Sequence, residues 1–329
     1  MPSPSFFVAR SVQEWSAQFG DARSVLTIGN FDGVHLGHQQ IIRGVVARAR
    51  RESCIAAALT FWPHPLRVVR PEIAPPLIET LDQRLAHLQS LGLDAVFVLP
   101  FDHAVASLAP REFVRRALVD ALHASVVRVG ENFRFGHRQA GNVHVLSELG
   151  RALAPASSFA VECVSPVIIR GVIVSSSAIR AAISNGHMMQ AARLLGRPFP
   201  LAGEIRTGTG TGRRFVFPTL NLATAQELLP ARGVYATETL VAGRSYRSVT
   251  NVGVRPTFDG TRLAIESHLF DFSEDLTSGQ MEVRFWRRLR EEKKFPGPEA
   301  LRQQIQLDIA HTRSFFARLD AARRLCNRG

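Results

Sequence analysis

One segment constrains the fold of this 329-residue chain more than any other. The run TIGNFDGVHLGHQQII, Thr27 to Ile42, closes an apolar stretch on Gly29, crosses a tight turn at Asp32-Gly33 and enters a helical pattern near His38. A strand that passes through a glycine turn into a helix is the opening unit of a parallel α/β sheet. The N-terminus of a helix carries unpaired N–H groups and partial positive charge, so phosphate groups bind there readily. His35 and His38, separated by Leu36-Gly37, stand at that mouth. Glycines 29, 33 and 37 are expected to let a phosphate approach the backbone.

The pattern continues along the first half. Apolar runs at Val25 to Ile28, Ile55 to Phe61, Ala95 to Pro100, Val126 to Val129 and Phe159 to Val164 read as strands. Between them, His38 to Arg51, Leu81 to Leu91 and Arg111 to Leu122 carry apolar residues at spacings of three and four, as amphipathic helices do. After Leu195-Gly196-Arg197-Pro198 the texture changes to glycine turns and short alternating runs at Gly233 to Leu240, Tyr246 to Val252, Ile265 to Phe270 and Met281 to Trp286. These predict an antiparallel barrel or sandwich. From Pro298 the chain turns helical, with Leu301, Ile305, Ile309, Phe315, Phe316 and Leu319 along one stripe set to lie on the barrel. The length suits two domains, and the Asn185-Gly186 turn divides them into 1–186 and 187–329.

Composition excludes several classes. No apolar run approaches the roughly 20 residues of a membrane span, and Met1 to Arg10 lacks a signal-peptide pattern. Cys54, Cys163 and Cys326 are widely spaced and odd in number, which fits neither a disulfide framework nor a zinc site. A reducing, cytoplasmic location is expected. The net charge of +12 raises the question of nucleic acid. Arg313, Arg318, Arg323, Arg324 and Arg328 fall at helical spacing near the C-terminus, however, and read as a solvated helix face. No nucleic-acid or membrane partner is expected, and the oligomeric state is left open.

HxGH is the signature of nucleotidyltransferases and class I aminoacyl-tRNA synthetases, and adenylyl transfer explains the residue types. The attacking oxygen belongs to an ionised phosphate, so no base is needed; donors are needed for charge that builds on the phosphates. A second run, VSSSAIRAAI, Val174 to Ile183, sets Ser175, Ser176 and Ser177 before a helix with Arg180 one turn on. GNFDGVHLGH, TFWPHP (Thr60 to Pro65), VGENFRFG (Val129 to Gly136) and VSSSAIR together resemble the FAD synthetase module of prokaryotic bifunctional riboflavin kinase/FAD synthetases, which usually have Thr where Ser177 stands. The resemblance implies a nucleotidyltransferase, Rossmann-like fold. It places ATP phosphates at Gly29, Phe31, Asp32, Gly33, His35, His38, Asn132, Ser175, Ser176, Ser177 and Arg180, and flavin at Phe61, His64, Asn132 and Phe133.

The second half carries GEIRTGTGTGRRFVFPTLNL, Gly203 to Leu222. Glycines at 208, 210 and 212 allow N–H groups to wrap a phosphate. Thr219 and Asn221 alternate by two, so on an extended strand both oxygens face one side and suit a hard cation such as Mg²⁺. With RGVYA, NVGVRPTF and IESHLFDF this resembles the riboflavin kinase module of the same family, whose barrel binds ATP at Gly208, Gly210, Gly212, Arg213, Thr219 and Asn221. By position in that pattern, Glu266 is the carboxylate that receives the proton of the riboflavin 5′-hydroxyl. The substrates implied are riboflavin, FMN and ATP, with FAD as final product. Val216 replaces a glycine of the usual GRxxGFPT, and Asp275-Leu276-Thr277-Ser278-Gly279 replaces Asp-Leu-Tyr-Gly. The alternative is therefore an FAD synthetase with a degenerate kinase module.

Overall fold

The structure is a computed structural model that describes residues 6–206, 218–257, 260–274 and 276–326, with backbone alone at 255–257, 260–262 and 326. Two compact units divide between Ser176 and Ser177.

The strands of the first unit are β1 (Phe7–Ala9), β2 (Ser24–Ile28), β3 (Ile55–Trp62), β4 (Ala95–Pro100), β5 (Ala124–Gly130), β6 (Arg134–Phe135), β7 (Gly141–Asn142), β8 (Ala160–Val164), β9 (Ile168–Ile169) and β10 (Val172–Ile173). Six of them form a parallel sheet in the order β1-β4-β3-β2-β5-β8. Its helices are α1 (Val12–Phe19), α2 (Leu36–Glu52), α3 (Pro65–Val69), α4 (Leu81–Ser90), α5 (His103–Ala106), α6 (Pro110–Phe113) and α7 (Val143–Arg151).

Strand β2 is buried at every position because apolar layers cover both faces of the sheet. Leu26 and Ile28 join one layer with Trp15, Phe97, Leu118 and Leu146. Val25 joins the other with Ile42, Val45 and Val96. The helix expected over Arg111 to Leu122 is instead α6 followed by a π-helical segment, Val114–Ala121. The wider turn brings Val114, Leu118 and Ala121 to the same core.

The second unit opens within α8 (Ser176–Ser184) and continues through α9 (Met188–Leu195) to a closed antiparallel barrel. Its strands are β11 (Phe199–Arg206), β12 (Leu220–Thr224), β13 (Gly233–Val241), β14 (Arg244–Thr257), β15 (Gly260–Leu269) and β16 (Gln280–Arg290), in the order β11-β12-β15-β14-β13-β16. Helix α10 (Pro298–Cys326) lies on the outside. Period-two alternation sorts the faces. Val234 and Ala236 meet Ile309, Phe315 and Phe316 of α10, while Tyr235 turns inward onto Phe285. The expected helical stripe holds at Phe315 and Phe316, but Leu301 stands exposed in the first turn.

Inside the barrel, Thr239, Ser248, Thr237, Thr250 and Ser267, all fully buried, form one chain of hydroxyls with successive O···O distances of 2.8, 2.8, 2.7 and 2.7 Å.

Candidate active sites

In the sheet order, β2 lies between β3, which follows it in the chain, and the later β5. The direction of winding changes there, and ligands of open α/β sheets bind outside the carboxyl ends of strands at such a point. The segments that leave β3, β2 and β5 are Pro63-His64, Gly29 to His35 and Glu131-Asn132-Phe133. Three motifs distant in sequence thus issue from adjacent strand ends.

The turn after β2 is strained. Phe31, Gly33 and Val34 have φ of 49°, 86° and 35°, and a β-branched residue in that region is an outlier that the surroundings must enforce. Several bonds do so. The buried Asp32 carboxylate accepts from the Ile78 N–H at 3.0 Å and the Glu79 N–H at 3.3 Å. Ser176 Oγ donates to the Asp32 carbonyl at 2.8 Å, and Gln39 Nε2 to the Val34 carbonyl at 2.9 Å. Asp32 is therefore a brace for the turn, its carboxylate engaged by backbone.

His35 is the N-cap of α2 and lies 7% exposed; its Nδ1 accepts the His38 N–H at 3.2 Å. The two rings stack with centroids 3.6 Å apart, and Phe31 meets His38 edge-on at 5.2 Å. Burial, then the His35 ring, then the Arg84 cation hold the His38 imidazole well below its ordinary pKa. The glycines serve this packing. A Cβ at Gly29 would lie 3.2 Å from the Phe31 ring, and one at Gly37 3.2 Å from His35 Cε1. Room for these side chains is one requirement that the two glycines meet.

Of the serine run, Ser175 precedes α8 while Ser176 and Ser177 occupy its first turn, so only one of the three stands before the helix as expected. Arg180 lies one turn further on in the second unit.

Phe61, Phe101, Phe113, Phe135 and Phe133 form an aromatic series. Phe61 meets Phe101 at 5.6 Å and Phe113 at 6.5 Å; Phe135 meets Phe113 at 5.8 Å and Phe133 at 5.5 Å. Phe135 belongs to the core, whereas Phe133 and Phe61 are partly exposed and Asn132 is exposed. His64, 7% exposed, caps α3 through Nδ1, and its Nε2 lies 3.3 Å from the Asn30 amide.

Sequence reasoning missed Arg84. It is fully buried on α4, with its guanidinium 5.9 Å from the Trp62 ring and subject to the charges of Asp32 and Glu79. The signal was present: Arg84 falls at helical spacing from Leu81 and Leu88, within an apolar stripe.

In the barrel, Asn221 of β12 is directly opposite Glu266 of β15, and Glu266 is directly opposite Asn251 of β14. Leu220, Leu222, Ile265 and Ser267 are buried on the inner side, which leaves Asn221, Glu266 and Asn251 in one row on the outer face. Thr219 immediately precedes β12. Asn251 was not singled out from sequence. A Cβ at Gly253, two residues on, would run into Glu292 Oε1, so a second carboxylate lies over the same face. Gly208, Gly210, Gly212, Arg213, Val216 and Asp275 lie outside the described residues.

No cluster of three His, Cys, Asp or Glu side chains suited to a metal occurs among the described residues, and none of their helices is long and apolar enough to cross a membrane. Comparison with known proteins agrees with the division of chemistry. The family model for FAD synthetase matches residues 18–178, and that for riboflavin kinase matches residues 195–316. A bifunctional riboflavin kinase/FMN adenylyltransferase from Haemophilus influenzae is 35% identical over 292 residues, covering 88% of this chain and 94% of the relative. One of the same name from Pseudomonas fluorescens is 37% identical, covering 89% and 93%. A solved structure described as a macrolide-efflux protein from Streptococcus pneumoniae has a TM-score of 0.83 at 28% identity, covering 94% of this chain and 98% of that one. With both modules present and homology running through nearly its whole length, the chain belongs to the family of bifunctional riboflavin kinase/FMN adenylyltransferases.

Proposed function

We propose that the chain phosphorylates riboflavin to FMN in residues 187–329 and adenylylates FMN to FAD in residues 1–186, consuming one ATP in each step. The chief support is the convergence of three motif-bearing turns on adjacent strand ends in one unit and the Asn221–Glu266–Asn251 row in the other.

In adenylyl transfer an FMN phosphate oxygen attacks the α-phosphorus of ATP and pyrophosphate leaves. His35 and His38 donate to the phosphates as neutral rings. His35 uses Nδ1 as the cap acceptor, so its proton sits on Nε2. Gly29, Phe31 and Gly33 shape the strained turn, and Asp32 braces it. Ser175, Ser176, Ser177 and Arg180 supply further donors to the β- and γ-phosphates. Phe61, His64, Asn132 and Phe133 seat the flavin.

In the kinase step the 5′-hydroxyl of riboflavin attacks the γ-phosphorus of ATP, its proton passes to Glu266, and ADP leaves. The described part of the phosphate site is Thr219 and Asn221; Gly208, Gly210, Gly212 and Arg213 complete it. Thr219 and Asn221 offer two neutral hard oxygens, a set that suits Mg²⁺ carried largely by ATP phosphates and water. When bound, the ion neutralises charge on the phosphates; the chain's own part is to orient the nucleotide and take up the proton.

The site needs no nucleic acid, and the arginines of α10 are partly occupied by aromatic faces: Arg313 lies 5.0 Å from the Phe270 ring and Arg323 5.0 Å from that of Trp286. A cytoplasmic location suits an enzyme that draws on ATP, and the free thiols of Cys54 and Cys163 suit a reducing compartment. The test is a chromatographic time course with riboflavin, ATP and Mg²⁺, in wild type and Glu266→Gln. FMN rising and then giving FAD in wild type, with Glu266→Gln converting only added FMN, is the expected result. If wild type leaves riboflavin unchanged yet converts FMN, the kinase half is inactive and the two-activity reading fails.

A further inference from the structure

The chain that leaves β16 at Arg290 turns back over the barrel before α10 begins. Around the outer face, Asn221, Glu266, Asn251, Val234 and Arg290 stand directly opposite one another in register on β12, β15, β14, β13 and β16. Beyond Arg290 the chain recrosses that row, since a Cβ at Gly253 of β14 would run into Glu292 Oε1 and would lie 3.0 Å from Asn251 Nδ2. The return is clamped. Arg290 Nη1 donates to the Glu291 carbonyl at 3.0 Å, while its Nε and Nη2 donate to Asp308 Oδ1 and Oδ2 at 3.1 and 2.8 Å. Asp308 is buried on α10, so the peptide joining Glu291 to Glu292 is tied to both β16 and the helix.

The fold itself gives Glu292 no partner. Its side chain is exposed and makes no hydrogen bond or ion pair with any described residue. Its place nevertheless requires a glycine inside β14, where glycine weakens a strand and marks the close approach of another group. Gly253 is directly opposite Ala264, so the carboxylate above it lies one diagonal step from Glu266, and diagonal partners on one face are about 7–8 Å apart. An ionised carboxylate only accepts hydrogen bonds, so its ligand must bring donors. The ribityl chain of riboflavin is a run of neutral hydroxyls. With the 5′-hydroxyl at Glu266, the inner hydroxyls reach a second carboxylate at this separation.

We propose that Glu292 is a specificity-determining residue for riboflavin phosphorylation: its carboxylate accepts hydrogen bonds from inner hydroxyls of the ribityl chain and so helps hold the 5′-hydroxyl at Glu266. This rests on the kinase reading of residues 187–329. Arg290 and Asp308 are positioning residues that fix the peptide bearing Glu292, and Gly253 leaves the space for its carboxylate. The bond is made in bound substrate and transition state alike, so it acts on binding more than on turnover.

The experiment follows FMN formation by full-length wild type, Glu292→Ala, Glu292→Gln and Gly253→Ala. Each receives riboflavin or an analogue whose side chain keeps the terminal hydroxyl and lacks the inner ones. In Glu292→Ala the KM for riboflavin rises about tenfold or more while kcat stays within about threefold, and the preference for riboflavin over the analogue shrinks by the same factor. Glu292→Gln keeps an acceptor oxygen and loses less. Gly253→Ala displaces the carboxylate and raises KM in the wild-type background, but adds almost nothing once Glu292 is alanine. FMN adenylylation by the same chains is the control and stays within about twofold. If Gly253→Ala does not fold, the substitutions at exposed Glu292 carry the test. An unchanged KM or an unchanged preference over the analogue in Glu292→Ala overturns the inference, as does a change in Mg²⁺ dependence alone. A wild-type chain that makes no FMN from riboflavin removes the kinase reading and this inference with it; the other outcomes leave that reading standing.

Discussion

Nδ1 of His35 accepts the backbone N–H of His38 at 3.2 Å while the two rings stack 3.6 Å apart, so one imidazole both starts α2 and supports the other. The two roles separate by substitution. Asn is a good N-cap but has no ring nitrogen to reach a phosphate, whereas Ala does neither. His35→Ala is expected to lose about 1 kcal/mol of stability and His35→Asn almost none. Both should reduce FMN adenylylation by about a hundredfold, with the kinase untouched. Thermal unfolding and the two assays measure this; His35→Asn with near-normal FAD synthesis would show that the ring is only a cap.

The next residue but one tests the packing of that ring. A Cβ at Gly37 would stand 3.2 Å from His35 Cε1 and 3.3 Å from its Nδ1, which forces the ring to give by a few tenths of an ångström. Alanine is otherwise the better helix former by up to about 1 kcal/mol. Gly37→Ala is therefore expected to leave stability equal or higher while FAD synthesis falls about tenfold. A fall in stability with unchanged turnover would place the glycine's role in the fold alone.

The depressed His38 pKa gives a signed pH effect. In the unfolded chain the group titrates near its usual value of about 6.5; in the folded chain burial, His35 and Arg84 hold it lower. Above that range both states are neutral and nothing depends on pH. As pH falls below it, the unfolded chain binds a proton that the folded chain refuses, and stability falls by at most about 1.4 kcal/mol per unit until the folded value is reached. His38→Gln should remove that component. Urea titrations near pH 7.5 and 5.5, followed at Trp15 and Trp62 in a Trp286→Phe background, give the difference; equal slopes in both chains would contradict it.

What the sequence disclosed and what it hid have physical reasons. Strands β2 to β5 were legible because apolar layers cover the sheet and their runs are largely apolar, with only single polar residues such as Thr27, Thr60 and Arg128 within them. Strand β11 was not singled out, since Pro200 and Gly203 interrupt any strand pattern and only closure of the barrel pairs it; β12 was legible only as the extended segment that carries Asn221. His35, His38 and Glu266 were found through local motifs. Asn251 reaches its place through its pairing with Glu266, which no local pattern shows, whereas Arg84 was marked only by its position in the apolar stripe of α4. A second demand on Gly29 and Gly37, room for the Phe31 and His35 rings two residues away, was not visible in the sequence.

The hydroxyl chain inside the barrel has a direction that makes its members unequal. Thr237 Oγ1 lies 3.1 Å from the Ser248 carbonyl, to which it donates. It must then accept from both Ser248 and Thr250, at 2.8 and 2.7 Å, and these accept in turn from Thr239 and Ser267. Every proton is used once, which makes a buried polar core tolerable. Thr237 is the hub. Thr237→Val keeps the shape but strands two donors and a carbonyl, and is expected to cost about 3 kcal/mol. Ser267→Ala removes an end donor and should cost only about 1 kcal/mol. A one-residue slip of β14 against β13 would turn the hydroxyls outward, so the chain also fixes barrel register. Denaturation followed at Trp286 in a Trp15→Phe, Trp62→Phe background checks both substitutions, with FAD synthesis from added FMN expected to be unchanged; equal destabilisation by the two would refute the hub.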